Sequence, residues 1–191
     1  MRIGAEMGKD IEVKFRDYEV YKLSICGPGQ AGKTSLCKRL VHNKFTRTYK
    51  ETVGAEFFSY RFNTKKGKNV GLFYDFAGQQ RFVSVRNVLY SGTDAAAVVF
   101  DVTKKDSFRS VAQYIRELRK KLKDVEITIV GNKIDSKKRE ISFEDAKRIA
   151  EKLGCKYIET SAETGEGLGE FFKTLIHSAI SYKKKKVSVA E

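Results

Sequence analysis

Eight residues, Gly27-Pro28-Gly29-Gln30-Ala31-Gly32-Lys33-Thr34, constrain this chain more than any other stretch of it. They match G-x-x-x-x-G-K-[ST] and stand between a short apolar run, Tyr21 to Cys26, and a segment on which Leu36, Leu40 and Val41 share one helical face. A strand that ends in such a loop and feeds a helix makes a cradle for phosphate. Gly27 permits the sharp exit from the strand, and Gly29 and Gly32 let backbone N–H groups approach without a Cβ in the way. Gln30, Ala31 and the helix start at Lys33, Thr34 and Ser35 add further N–H groups and the positive end of a helix dipole. Lys33 is placed to reach the β- and γ-phosphates, and Thr34 to put its hydroxyl on Mg²⁺. The loop specifies a nucleoside triphosphate. A small-molecule kinase or an ATPase would carry it too.

The rest of the chain alternates strand-like and helix-like patterns. Glu56 to Asn63 and Asn69 to Phe76 read as an antiparallel hairpin joined by Lys65-Lys66-Gly67-Lys68. Ala95 to Asp101 is a continuous apolar run, as expected of a strand covered on both faces. Glu126 to Asn132 and Lys156 to Thr160 read as two more strands. One helix is expected over Ser107 to about Leu122, another over Ser142 to Leu153 with Ser142 and Asp145 as a capping pair, and a third along Leu168 to Ile180. This alternation implies an α/β fold of the P-loop NTPase kind, a mostly parallel sheet wrapped by helices. Residues 1–19 read as an N-terminal extension, 20–182 as one domain and 183–191 as a basic tail.

Composition narrows the setting. With 41% hydrophobic and 32% charged residues in 191, the chain is a globular domain with one core. Neither an apolar run of membrane-spanning length nor a signal-peptide core is present in the sequence, so residence in the cytoplasm is expected. The three cysteines, Cys26, Cys37 and Cys155, follow no metal-ligand spacing and read as reduced packing residues. A formal charge of +14 favours acidic partners without choosing among them.

The base is chosen by Asn132-Lys133-Ile134-Asp135, directly after the apolar strand ending at Gly131. Guanine offers two adjacent donors, N1–H and the 2-amino group, where adenine offers an acceptor and no amino group. A carboxylate in the plane of the base, Asp135, accepts both from guanine and is repelled by adenine. Asn132 would tie the N7 side of the base to the phosphate loop, and the alkyl stem of Lys133 would cover one face.

Five segments, in order, resemble the guanine-nucleotide motifs of the Ras superfamily: GPGQAGKT, Thr52, Asp75-Phe76-Ala77-Gly78-Gln79, NKID and Glu159-Thr160-Ser161-Ala162. Thr52 to Phe58 and Gln79 to Phe82 are most similar to the Rab branch. The resemblance implies a six-stranded sheet with about five helices. It also implies that Thr52 binds Mg²⁺ and the γ-phosphate and that Asp75 holds the metal through a water. Gly78 would offer its N–H to the γ-phosphate, and Gln79 would orient the attacking water. Phe45 would pack edge-on against the base, supported by Ser161 and Ala162. Gln80, Phe76 and Glu163 depart from the family's usual Glu, Thr and Lys. The Rab effector surface maps to Phe57, Tyr74 and Leu89, where the family usually shows Phe, Trp and Tyr.

These readings imply a slow GTPase switch, with GTP or GDP and Mg²⁺ as ligands and Gln79, Lys33 and Thr52 in the reaction. Effector, exchange factor and activating protein are expected at the switch segments, nucleic acid is not expected, and the chain is expected to be monomeric. The alternative is a constitutive nucleotide-binding module without effective hydrolysis. Lys183, Lys184, Lys185 and Lys186 close the last helix and are expected to attract anionic lipid weakly, making the protein peripheral at a membrane surface. The final residues contain no cysteine to prenylate.

Overall fold

A computed structural model describes residues 18–46 and 51–190. The expected N-terminal extension lies outside them except for its last two residues, and those two belong to the first strand. β1 (Tyr18–Cys26) is longer than its apolar run because its polar start pairs with β3, from Tyr18 opposite Lys68 onward. The order continues α1 (Lys33–His42), β2 (Ala55–Thr64), β3 (Gly67–Phe76), a 3₁₀ turn (Gln80–Phe82), α2 (Val83–Leu89), β4 (Ala95–Asp101), α3 (Lys105–Arg109), α4 (Val111–Lys121), β5 (Ile127–Asn132), α5 (Phe143–Lys152), β6 (Lys156–Thr160) and α6 (Leu168–Ala190).

The six strands form one sheet in the order β2-β3-β1-β4-β5-β6, all parallel except the β2–β3 hairpin. The carboxyl ends of β1, β3, β4, β5 and β6 therefore share one edge, where ligands bind in open α/β sheets.

Two apolar layers hold the helices on. On one face, Leu36 and Cys37 of α1 and Phe171, Leu175 and Ile176 of α6 pack against Leu23, Ile25, Ala97 and Val99. On the other, Val111, Ile115 and Leu118 of α4 and Ala146 and Ala150 of α5 meet Cys26, Ala96, Val98 and Phe100. The β4 side chains thus alternate between two buried layers, which is why the strand is apolar throughout. All three cysteines are free thiols, with Cys26 and Cys37 fully in the core.

Two expectations need correction, and one stretch of helix was not anticipated. The helix expected over Ser107 to Leu122 is two segments, α3 and α4, jointed at Ser110. There Ser110 donates to the Ser107 carbonyl and the ladder tightens to Gln113 N–H on Ser110 O, a local side-chain bond competing with the helix. Counting α3 and α4 as one jointed unit leaves five helices around the sheet among the described residues. The 3₁₀ turn and α2 had no clear helical pattern. Finally, α6 does not close at the lysines but runs on to Ala190, so the basic tail continues the helix. The Ser142 cap was as expected: its Oγ accepts the Asp145 N–H at 3.1 Å.

Candidate nucleotide-binding site

The loops at the carboxyl edge surround a cavity of about 490 Å³. Most of the residues singled out from the sequence line it: Gly29, Gln30, Gly32, Lys33, Thr34, Ser35, Phe45, Thr52, Gly78, Gln79, Asn132, Lys133, Asp135 and Ala162. Gly27, Ala31, Asp75 and Ser161 sit just behind that lining. The five sequence segments therefore converge in space.

The phosphate loop needs its glycines for different reasons. Gly27 has φ +131°, and a Cβ there would lie 2.1 Å from the Val99 carbonyl oxygen. Gly32, at φ +89°, precedes the first turn of α1 and lies against the Asn132 amide. Lys33 is almost wholly buried, and its ammonium donates to the carbonyls of Gly27 and Pro28, both at 2.9 Å. Burial pulls its pKa below the ordinary lysine value, against the opposing pull of Asp75.

Three oxygens meet at the start of α1. Thr34 donates to Asp75 Oδ2, and its hydroxyl lies 3.0 Å from that of Thr52. Asp75 Oδ1 is buried without a hydrogen-bond partner among the described residues, as is Gln79 Oε1. Burial pushes the Asp75 carboxyl up to about 6, with Lys33 and the Thr34 bond holding it down. Hard oxygen donors with an orphaned carboxylate oxygen fit Mg²⁺, which takes one or two protein oxygens and completes its shell with water and phosphate.

The base side is braced from below. Asn132 Nδ2 donates to the Ala31 carbonyl at 2.9 Å, and Asn132 Oδ1 accepts from Thr160 Oγ1 and the Ala162 N–H, both at 3.2 Å. One asparagine thus joins phosphate loop, β5 and the loop after β6. Ser161 Oγ donates to Asp135 Oδ1 at 2.5 Å, which orients the carboxylate. Lys133, at φ +71°, is paired at 2.6 Å with Asp101 Oδ2. Burial alone would raise the Asp101 carboxyl, but the bonds from Lys133 and Thr103 outweigh it and leave its pKa below the ordinary value.

Several supporting residues had no sequence signal. Arg86 of α2 is fully buried; its Nη1 donates to the carbonyls of Ala77 and Gln79, both at 2.9 Å, and Glu117 of α4 takes its other two nitrogens. Tyr114 donates to the Gly78 carbonyl. Lys22 donates to the carbonyls of Leu89 and Ser91 at 2.6 and 2.7 Å, tying the end of α2 to β1. Phe76, unlike the usual family residue, is a core side chain packed edge-on against Tyr90 at 5.2 Å.

A phosphate loop, a guanine-type NKID turn and two flanking polar segments on one parallel sheet define a P-loop nucleotide-binding domain. The sequence model of the Ras family matches residues 22–181. Among curated proteins, the chain is 40% identical over 158 residues to the Ras-related protein Rab-21 of Mus musculus, covering 81% of this chain and 71% of that one. It is 40% identical over 154 residues to Rab-4 of Dictyostelium discoideum, covering 79% and 75%. Against Rab-17 of Homo sapiens it is 36% identical over 165 residues, covering 82% and 74%. The chain belongs to the Ras family and is Rab-like within it.

Proposed function

We propose that this protein is a guanine-nucleotide switch that binds GTP and GDP with Mg²⁺ and hydrolyses GTP slowly, in the regulation of trafficking or signalling. The observation that carries this reading is a bonded frame around one cavity: Asn132 bonds Ala31 of the phosphate loop and Ala162 of the loop after β6, and Ser161 of that same loop bonds Asp135. Asp135 reads guanine, and Asn132 fixes its distance from the phosphates.

Thr34, Thr52 and Asp75 would hold the metal, which supplies charge neutralisation on the phosphate oxygens when bound. Lys33 adds positive charge from the protein side. The Gly78 N–H meets the γ-phosphate. Gln79 orients the attacking water, and its Oε1, buried and without a partner among the described residues, is the acceptor such a water needs. Without an arginine supplied by a partner, turnover is on the order of 10⁻⁴ to 10⁻³ per second. The γ-phosphate would order the segments at Thr52 and Gly78, and its loss would release them.

The output is then binding of an effector, with exchange and activating proteins at the same segments. The exposed side chains Val53, Phe57 and Val88 offer them an apolar face, with Phe57 set edge-on to Tyr74 at 4.8 Å. The protein works in the cytoplasm and peripherally at a membrane surface; among the described residues no helix is long and apolar enough to cross one.

The test is to extract and identify the co-purifying nucleotide, then follow phosphate release from added GTP with Mg²⁺. Guanine nucleotide with slow release is expected. Adenine nucleotide overturns the reading, and guanine nucleotide that is never hydrolysed, even with an activating extract, leaves a constitutive binding module.

A further inference from the structure

The parallel sheet sorts charge as well as motifs. β1, β3, β4, β5 and β6 all begin at the end of the domain away from the nucleotide cavity, and α4, α5 and α6 run back towards it. Two basic runs far apart in sequence meet there. The hairpin turn carries Lys65, Lys66 and Lys68, and Lys68 is in register with Tyr18 at the start of β1. Two residues further along that strand, the Val20 carbonyl accepts a bond from Lys183 of α6. Lys68 and Arg61 lie 5.9 and 5.7 Å from the Tyr18 ring centroid, and Lys183 lies 4.9 Å from that of Tyr21.

The nearby acids are partly committed. Asp94 is buried and accepts the Lys22 backbone N–H, and Glu126 accepts from Lys156 and Ser178. Among the described residues Glu19 is exposed beside them but is outnumbered by the exposed Lys65, Lys66, Lys68, Lys184, Lys185 and Lys186. Tyr18, Val20 and Val187 are exposed among these cations.

We propose that this end of the domain is one docking surface for an anionic membrane, built jointly by the hairpin turn and the C-terminal part of α6. Lysines attract lipid phosphate and carboxylate groups, and their stems and a tyrosine ring suit the interface between headgroups and acyl chains. The exposed valines favour lipid over nucleic acid, because aliphatic side chains gain from apolar contact and offer a phosphate backbone nothing. Attachment by this end turns the nucleotide cavity and the Phe57 face away from the bilayer. The inference deepens the switch reading and rests on it for what the attachment serves, but lipid binding itself needs no nucleotide.

The experiment is flotation of the full chain with phosphatidylcholine vesicles and with an equal mixture of phosphatidylcholine and phosphatidylserine. Binding to the mixed vesicles alone is expected, weakening as salt is raised. At about fivefold per lysine, the triple variant Lys65→Gln/Lys66→Gln/Lys68→Gln should bind on the order of a hundredfold more weakly, and Lys184→Gln/Lys185→Gln/Lys186→Gln similarly. Retained GTP binding by both variants shows that they are folded. A hairpin variant that floats like the unaltered chain overturns the joint surface, as does a full chain that ignores the mixed vesicles. Retention on single-stranded DNA by a chain that ignores vesicles reassigns the surface to nucleic acid. Flotation by a chain that neither binds nor hydrolyses GTP sinks the switch reading and leaves the surface standing.

Discussion

Arg86 and Glu117 meet in a two-pronged ion pair, Nε to Oε1 at 2.8 Å and Nη2 to Oε2 at 2.9 Å, with the arginine side chain 1% exposed. Burial works against the charge on Arg86, but the Glu117 bonds and charge more than offset it and raise its pKa. The remaining nitrogen grips the backbone on both sides of Gly78, so the pair sets where Gln79 stands. Glu117→Gln keeps the shape and weakens the grip. It should cost about 1–3 kcal/mol of stability, by thermal melting, and slow single-turnover hydrolysis with guanine-nucleotide affinity unchanged. A variant with unaltered hydrolysis would take the pair out of the support of Gln79.

Gln79→Leu keeps the side-chain volume and removes the polar group proposed to orient water. Nucleotide affinity should stay nearly intact while phosphate release falls by about tenfold or more, in line with loss of a positioning contact. Unchanged release would remove Gln79 from the mechanism.

Gly78 touches the phosphate loop so closely that a Cβ would lie 2.4 Å from the Gly29 nitrogen and 2.5 Å from the Gly27 oxygen. Both neighbours are backbone and cannot swing aside. Gly78→Ala should therefore force the two loops apart at about 1–3 kcal/mol, the usual cost of overpacking. Because the Gly78 N–H is assigned to the γ-phosphate, the loss should fall on GTP rather than GDP. The ratio of their dissociation constants should shift roughly tenfold, one factor of ten for each 1.4 kcal/mol; an unchanged ratio would dissociate Gly78 from γ-phosphate sensing.

Asp101→Asn removes the charge that holds Lys133. GTP dissociation should accelerate about tenfold, a discounted figure because Lys133 is 37% exposed. The pH dependence has a definite sign. Asp101 has a folded pKa below the ordinary 3.8, so its contribution is full above about pH 4 and is lost as pH falls through the depressed value. Urea titrations of wild type and variant should differ at neutral pH and converge in acid; a constant gap would remove the ionised pair as the cause.

The cavity lining was legible because its chemistry demands particular side chains at fixed spacing: a lysine after a glycine loop, a carboxylate for two guanine donors. The supports were not. Arg86 is one basic residue among many, and its partner lies on another helix, so neither sequence spacing nor charge singles out the pair. Val83-Ser84-Val85-Arg86-Asn87-Val88-Leu89 is rich in β-branched residues that disfavour helix, yet it is α2, held by Arg86 and by Lys22 at its end. The joint at Ser110 was hidden inside an unbroken apolar stripe. The meeting of the hairpin with α6 depends on the register of β1 against β3, which no local pattern announces.

Lys22 fastens the last turn of α2 to the central sheet, and Arg86 fastens its middle to α4. A helix moored at two points a turn apart cannot pivot as a rod. Arg86 also holds the Gln79 carbonyl, so the 3₁₀ turn between them, Gln80–Phe82, is left as the hinge leaf. News of the third phosphate would therefore reach a partner as a change in the outline of two short stretches of backbone, at Thr52 and beside Gly78, with α2 and the sheet standing still as their frame.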